Sequence, residues 1–87
     1  MMGNGRYQLR AAAGKYWLMD MGQEAGNYRA PVAMNETGAM ILENLWKSGD
    51  PKEPARVLSE TYEIDLEEAQ ADVNEFLNQL RSQGIVL

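Results

Sequence analysis

The stretch PVAMNETGAMILENLW, residues 31–46, contains a short strand that changes directly into a helix. Val32 and Met34 alternate with smaller residues, as in a strand, and Asn35 is a favourable helix N-cap. Apolar residues then recur at helical spacing to the end of the stretch. The predicted strand nevertheless contains Pro31, which has no N–H to donate to a sheet ladder. A strand of this kind is expected at the edge of a sheet.

The preceding segment, YQLRAAAGKYWLMD, predicts a β-hairpin over residues 7–20. Apolar residues alternate along its first half, and Ala13 and Gly14 form a tight turn in which Gly14 takes a positive φ. A polar loop with two glycines, residues 21–27, separates the hairpin from the next strand. The predicted strands are residues 7–12, 15–20 and 28–34.

Three helices complete the predicted structure, over residues 36–48, 52–62 and 66–83. Gly49 ends the first helix, and Pro54 is tolerated in the first turn of the second. Asp65 and Glu68 have the spacing of a capping box for the third helix, and Gly84 is suited to its C′ position. Strands followed by helices predict one α+β domain over residues 1–87, in a winged-helix-like arrangement of three helices on a three-stranded antiparallel sheet.

The composition argues against an enzyme. The 87 residues include no cysteine and no histidine, which removes disulfides, thiolate chemistry and the commonest general base. No metal site or cofactor is expected, since no metal-binding spacing is present. No apolar run approaches the roughly 20 residues of a membrane span, and the first residues have no apolar signal region. A cytoplasmic protein without a membrane partner is therefore expected.

Charge is divided unevenly along the chain. Residues 1–34 carry four basic and two acidic side chains, a net charge of +2, whereas residues 35–87 carry four basic and eleven acidic ones, a net charge of −7. The third helix has Arg81 as its only basic residue, so it is a poor fit to a phosphate-lined groove. Nucleic acid is therefore not expected as a partner. A carrier protein is also disfavoured, since no Asp-Ser-Leu stands at a helix start.

Two interpretations of Pro31 remain open at this point. It discourages aggregation at an exposed edge, or it fixes the register of a peptide that adds to that edge as a strand. Val32 and Met34 share one face of the strand, which belongs either to the core or to a peptide groove. The same alternatives apply to the apolar stripe of the third helix: Val73, Phe76, Leu77 and Leu80.

The motifs MNETGAMILENL and ETYEIDLEEAQADVNEFLNQLRSQGIV resemble the PqqD-like family, also called RiPP recognition elements. Members show a Leu-Asn-x-Thr-Gly/Ala-Ala entry to the first helix and a Tyr-x-Val/Ile-Asp before a long helix. An Asp-Val-x-x-Phe-Leu core and a closing Leu-x-x-x-Gly-Ile/Leu follow. The resemblance covers residues 28–87 well and the hairpin loosely. The four motifs fall, in order, at residues 34–39, 62–65, 72–77 and 80–85.

The resemblance implies a non-catalytic chaperone for ribosomally made, post-translationally modified peptides. In such proteins the leader of a precursor peptide adds as a strand to the third β-strand and packs into the groove between that β-strand and the third helix. The protein presents the peptide to a modifying enzyme, either a radical-SAM enzyme or the leader peptidase of a lasso system. The implied peptide-binding residues are Arg29, Ala30, Pro31, Val32, Ala33 and Met34 on the strand, with Val73, Phe76, Leu77 and Leu80 on the helix.

This chain departs from the family pattern at three points. Met34 replaces the usual leucine, which conserves volume, and Pro31 removes one main-chain donor from the binding strand. The loop at residues 21–27 is long for the family. A free edge could also pair with a second copy, so a homodimer is a further expectation. The alternative function is a small interaction or regulatory domain that binds a folded protein.

Overall fold

The computed structural model describes residues 2–3, 5–22 and 30–85, and within them the predicted α+β class is confirmed. Three predicted strands precede three helices, and a further two-residue strand precedes them all, which the sequence analysis did not predict. The strands form one antiparallel sheet in the order β1-β2-β3-β4. The elements are β1 (Met2–Gly3), β2 (Tyr7–Ala12), β3 (Lys15–Asp20), β4 (Val32–Met34), α1 (Glu36–Ser48), α2 (Glu53–Tyr62) and α3 (Leu66–Ser82).

β2 and β3 form the predicted hairpin, closed by a pair between Ala12 and Lys15. Both turn residues are left-handed, with φ of 54° at Ala13 and 76° at Gly14. This combination matches the right-handed twist of the flanking strands. The turn sequence predicted a positive φ at Gly14 only. The alanine therefore adopts the less favourable conformation because the two-residue turn demands it.

β4 is shorter than the predicted strand at residues 28–34. Regular pairing covers Val32–Met34, while Ala30 and Pro31 are exposed and lie outside the strand. The proline ring holds φ near −65°, far from the roughly −140° of an antiparallel strand, which explains why regular pairing begins after it. The rest of the predicted strand, residues 28 and 29, lies outside the described residues, as does most of the predicted loop at 21–27.

Most of the predicted capping residues lie at the ends of the helices. The Asn35 side chain accepts a hydrogen bond from Gly38 N–H at 2.9 Å, and Gly49 ends α1 in the left-handed region at φ 70°. α2 begins at Glu53, one residue later than predicted. Asp65 occupies the N-cap position of α3, but its side chain makes no capping hydrogen bond, so the predicted capping box is wrong. Gly84 follows α3 with φ 82°, as predicted.

The core lies between one face of the sheet and the three helices. The sheet contributes alternate residues of β2 and β3, and each helix contributes one apolar side. Ile85, just after α3, is also almost fully buried. The buried apolar residues are Tyr7, Leu9, Leu18, Ala39, Ile41, Leu42, Ala55, Leu58, Ala69, Val73, Leu77, Leu80 and Ile85.

Candidate functional site

The candidate site is the open edge of β4 and the side chains beside it. Among the described residues, β4 pairs with β3 alone and forms an end of the sheet. The direction of its backbone groups follows from the register of the neighbouring hairpin. Met21 N–H donates to the Arg6 carbonyl at 2.6 Å, which makes that pair a hydrogen-bonded one. Bonded and non-bonded pairs alternate along an antiparallel ladder, so the pairs Leu9–Leu18 and Ala11–Tyr16 are non-bonded. The backbone N–H and C=O groups of Tyr16 and Leu18 therefore point away from β2, toward β4.

The pairing of β3 with β4 then decides which groups of β4 face outward. Tyr16 lies opposite Met34, and Leu18 lies opposite Val32. Val32 and Met34 therefore direct their N–H and C=O groups toward β3. Ala33, between them, directs its N–H and C=O away from the sheet. The edge thus offers one donor and one acceptor, at Ala33, to a further strand.

The side chains of β4 divide between the two faces of the sheet. Val32 and Met34 lie on the same face as Leu18, which is buried, and both are half-buried at the margin of the core. Ala33 points to the opposite face and is exposed. A strand added at this edge would therefore place alternate side chains next to Val32 and Met34.

The four predicted residues of α3 do not have equal access to a ligand. Val73 is fully buried, and Leu77 and Leu80 are 5% and 3% exposed, so these three are core residues beneath the site. Phe76 lies at the margin of the same stripe and is half-buried. Of the predicted helix residues, Phe76 is the one with surface left for a ligand.

Gly38 of α1 brings Phe76 close to β4. A Cβ added at Gly38 would lie 2.9 Å from Cε1 and 3.1 Å from Cζ of Phe76, and 3.3 Å from Cβ of Met34. These distances are shorter than ordinary carbon–carbon contacts. The Phe76 ring and β4 can therefore lie this close to α1 only because Gly38 has no side chain. The predicted helix over residues 36–48 includes Gly38, but the sequence pattern indicates no role for this glycine. The available signal was a glycine among the apolar residues that recur at helical spacing in this segment.

Tyr62 places an exposed aromatic side chain beside the start of α1. It belongs to the last turn of α2, and its side chain is 47% exposed. Its hydroxyl lies 3.3 Å from Oγ1 of Thr37, in the first turn of α1. The hydrogen bond holds the Tyr62 ring beside the start of α1, one residue from Gly38.

A shallow pocket of about 290 Å³ lies at the end of β4 that leads into α1. It occurs where the hairpin turn approaches the junction between β4 and α1, and Lys15 supplies a cation there. The lining residues are Gly14, Lys15, Ala33, Met34 and Asn35. A peptide extended along β4 would therefore pass Lys15 at the end where α1 begins.

The remaining predicted strand residues are less informative. Ala30 and Pro31 are exposed and precede the paired part of β4, and Arg29 lies outside the described residues.

Within the described ranges, no group of three or more acidic, histidine or cysteine side chains is arranged to hold a metal ion. None of the helices in that part of the chain is long and apolar enough to cross a membrane.

Fold and edge together define a small α+β protein whose short edge strand lies beside the half-buried apolar margin of a long helix. The chain belongs to the PqqD family: the family model described as Coenzyme PQQ synthesis protein D (PqqD) matches residues 4–86. Membership supports an accessory role in peptide modification. No curated protein and no solved structure was found to match the chain.

Proposed function

We propose that this protein binds the leader segment of a ribosomally synthesised precursor peptide as an added strand on β4. It then presents the peptide to a modifying enzyme, of the radical-SAM class or of a lasso-type processing system. The observation that carries the proposal is the outward N–H and C=O of Ala33, directly beside the half-buried side chains of Val32, Met34 and Phe76. Membership of the PqqD family supports the same role.

Main-chain and apolar contacts have separate roles in this binding mode. Hydrogen bonds to Ala33 accept any peptide sequence, because every residue except proline offers the same backbone groups. Val32, Met34 and Phe76 select apolar side chains at alternate peptide positions. Methionine suits this task because its unbranched side chain adapts to different partners.

The contribution to modification is positional rather than chemical. A peptide held by its leader keeps its remaining residues near the bound enzyme, which raises their effective concentration there. The groups offered by the site are backbone amides and apolar side chains, and the sequence has neither histidine nor cysteine. The protein is therefore proposed as a non-catalytic partner.

The affinity for the leader is expected to be moderate. A disordered peptide loses conformational entropy when it is ordered as a strand, and this loss offsets part of the contact energy. The three-residue strand also limits the number of main-chain bonds. Dissociation constants in the micromolar range would suit a chaperone that must release its peptide.

Isothermal titration tests the proposal, with the leader half of a short peptide encoded next to this protein. We expect saturable binding at one peptide per protein. Absence of binding at high micromolar concentration by the folded protein would contradict the proposal and favour an interaction with a folded partner protein.

The matched variants Val32→Asp and Ala33→Asp identify the binding face in the same assay. Both carry the same added charge on the same strand, but Val32 faces the groove and Ala33 faces away from it. We expect Val32→Asp to abolish binding and Ala33→Asp to retain it, with circular dichroism confirming that both fold. Full affinity in folded Val32→Asp would refute strand addition on this face.

A further inference from the structure

We infer that the peptide bound at β4 carries an aspartate or glutamate whose side chain points away from the groove, into the pocket beside Lys15. Lys15 is thereby a specificity-determining residue for the peptide. This inference rests on the proposed function and adds a second contact to it, on the opposite face of the sheet. The register of β4 and the shape of the pocket support it.

Strand addition decides which peptide side chains reach the outer face of the sheet, the face that points away from the helices. Ala33 directs its N–H and C=O outward, so one peptide residue lies directly beside it. Neighbouring residues in a ladder have their side chains on the same face. That peptide side chain therefore points to the outer face, as do the side chains two places before and after it.

The outer face of the sheet is basic. Among the strand residues that the structure describes, it carries Arg10 and Lys15 and no acidic side chain. Asp20, the acidic residue of β3, lies on the face toward the core and pairs with Arg6 at 3.2 Å. The outer face thus contrasts with the helical segment, residues 35–87, whose net charge is −7. A peptide side chain that points outward meets cations rather than carboxylates.

Lys15 is placed to meet such a side chain. Extending the pairing of Tyr16 with Met34 by one residue places Lys15 level with Asn35, at the end of β4. Lys15 is exposed and forms no ion pair with the described residues, Glu36 at the start of α1 included. Because neighbouring strands lie about 4.8 Å apart, the backbone of an added strand would be roughly 10 Å from that of Lys15. A lysine and a glutamate side chain that lean toward each other span this distance.

The pocket of about 290 Å³ provides the space for this ion pair. It is lined by Gly14, Lys15, Ala33, Met34 and Asn35. Ala33 is small, and a Cβ added at Gly14 would meet no described atom within 4 Å, so the space beside Lys15 is open. The cap of α1 uses the side-chain oxygen of Asn35, which leaves its amide NH₂ group as a donor at the pocket. An ammonium group and an amide donor together suit a carboxylate.

The expected preference for a carboxylate is modest and depends on its position in the peptide. Exposed ion pairs contribute little, so we expect a glutamate that reaches Lys15 to improve affinity about threefold over a glutamine. The net charge of −5 repels an acidic peptide as a whole. The gain should therefore occur at the outward positions near Lys15, and it should not increase with the total number of acidic residues. Added salt should reduce it.

A position scan with fluorescent peptides tests the inference by anisotropy with the full chain. Each peptide contains one leucine and one phenylalanine at alternate positions, which fix its register against Val32 and Met34, and is otherwise made of serine and asparagine. Three positions point outward: the residue between the two anchors and the first residue outside each anchor. Each of them carries glutamate, glutamine or lysine in turn. We expect glutamate to bind most tightly and lysine least tightly at one or two of these positions.

Two matched variants assign the preference to Lys15. Lys15→Glu should reverse it, so that the lysine peptide binds more tightly than the glutamate peptide. Arg10→Glu makes the same change of charge on the same face, but Arg10 lies on β2, one strand further from β4, and this control should keep the preference for glutamate. Circular dichroism confirms that both variants fold. Equal loss of the preference in both would indicate a general charge effect and overturn the inference.

The outcomes separate this inference from the proposed function. Equal affinity for the glutamate and glutamine peptides at all three positions would refute the carboxylate site while leaving peptide binding at β4 intact. A preference for glutamate that persists in Lys15→Glu would also refute it. Absence of binding by every peptide would overturn the proposed function, and the carboxylate site with it.

Discussion

Replacement of Gly38 by alanine tests whether Phe76 packs against α1 as the structure shows. The added methyl group would lie 2.9 Å from Cε1 and 3.1 Å from Cζ of the ring. Carbon atoms at these distances repel each other, so the ring must turn away. Because Phe76 is half-buried, its ring can move outward into the groove beside β4.

Two opposing terms determine the effect of Gly38→Ala on stability. Alanine in a helix is favoured over glycine by about 1 kcal/mol. Displacing the Phe76 ring from its rotamer costs about 0.5–1.5 kcal/mol. The free energy of unfolding should therefore change by less than about 1 kcal/mol. Leader affinity should fall roughly fivefold, which corresponds to about 1 kcal/mol of lost contact.

Urea unfolding of a double-mutant cycle provides the assay. In the Phe76→Ala background, the nearest remaining atom is Cβ of Met34 at 3.3 Å, so Gly38→Ala should then stabilise the protein by about 1 kcal/mol. Titration with leader peptide measures the loss of affinity in the single variant. Equal stabilisation in both backgrounds, with unchanged peptide affinity, would show that the ring does not lie against Gly38.

Three further variants test other parts of the structure. Pro31→Val restores an N–H on the same side of the strand as that of Ala33. We expect up to about tenfold tighter leader binding, together with more self-association in sedimentation velocity. More self-association with unchanged leader affinity would leave edge protection as the role of the proline. Asn35→Ala removes the cap of α1 and should cost about 1 kcal/mol in urea unfolding, and an unchanged midpoint would contradict that cap. The hydrogen bond from Arg56 lowers the pKa of Glu53 below 4.5. Its stabilising effect is therefore present above the ordinary pKa of a glutamate and lost as pH falls through the lowered pKa. Glu53→Gln should then lower the melting temperature slightly at pH 7, and this difference should disappear at acid pH, where Glu53 is protonated in the folded protein as well.

Local sequence signals predicted the helices because each helix end depends on a few nearby residues. Asn35 and Gly49 mark the ends of α1, and both have the predicted roles. β4 was harder to delimit, because pairing with β3 and the fixed φ of Pro31 decide where the strand begins. The extra strand β1 has two residues, too few for a pattern of alternation.

The candidate site was predictable in outline but not in its accessible surface. Helical periodicity identified the apolar stripe of α3, but it did not separate Val73 in the centre from Phe76 at the margin. That distinction depends on how closely α1 approaches, which Gly38 determines through tertiary contact. The exposure of Tyr62 likewise follows from its position at the last turn of α2, where the core ends.

Amide hydrogen exchange at β4, measured by NMR with and without saturating leader peptide, tests strand addition most directly. The N–H groups of Val32 and Met34 already face β3, whereas that of Ala33 faces outward. Strand addition therefore predicts that exchange at Ala33 slows strongly when the peptide binds, with smaller changes at its two neighbours. Unchanged exchange at Ala33 in a complex shown to be saturated would contradict strand addition at this edge.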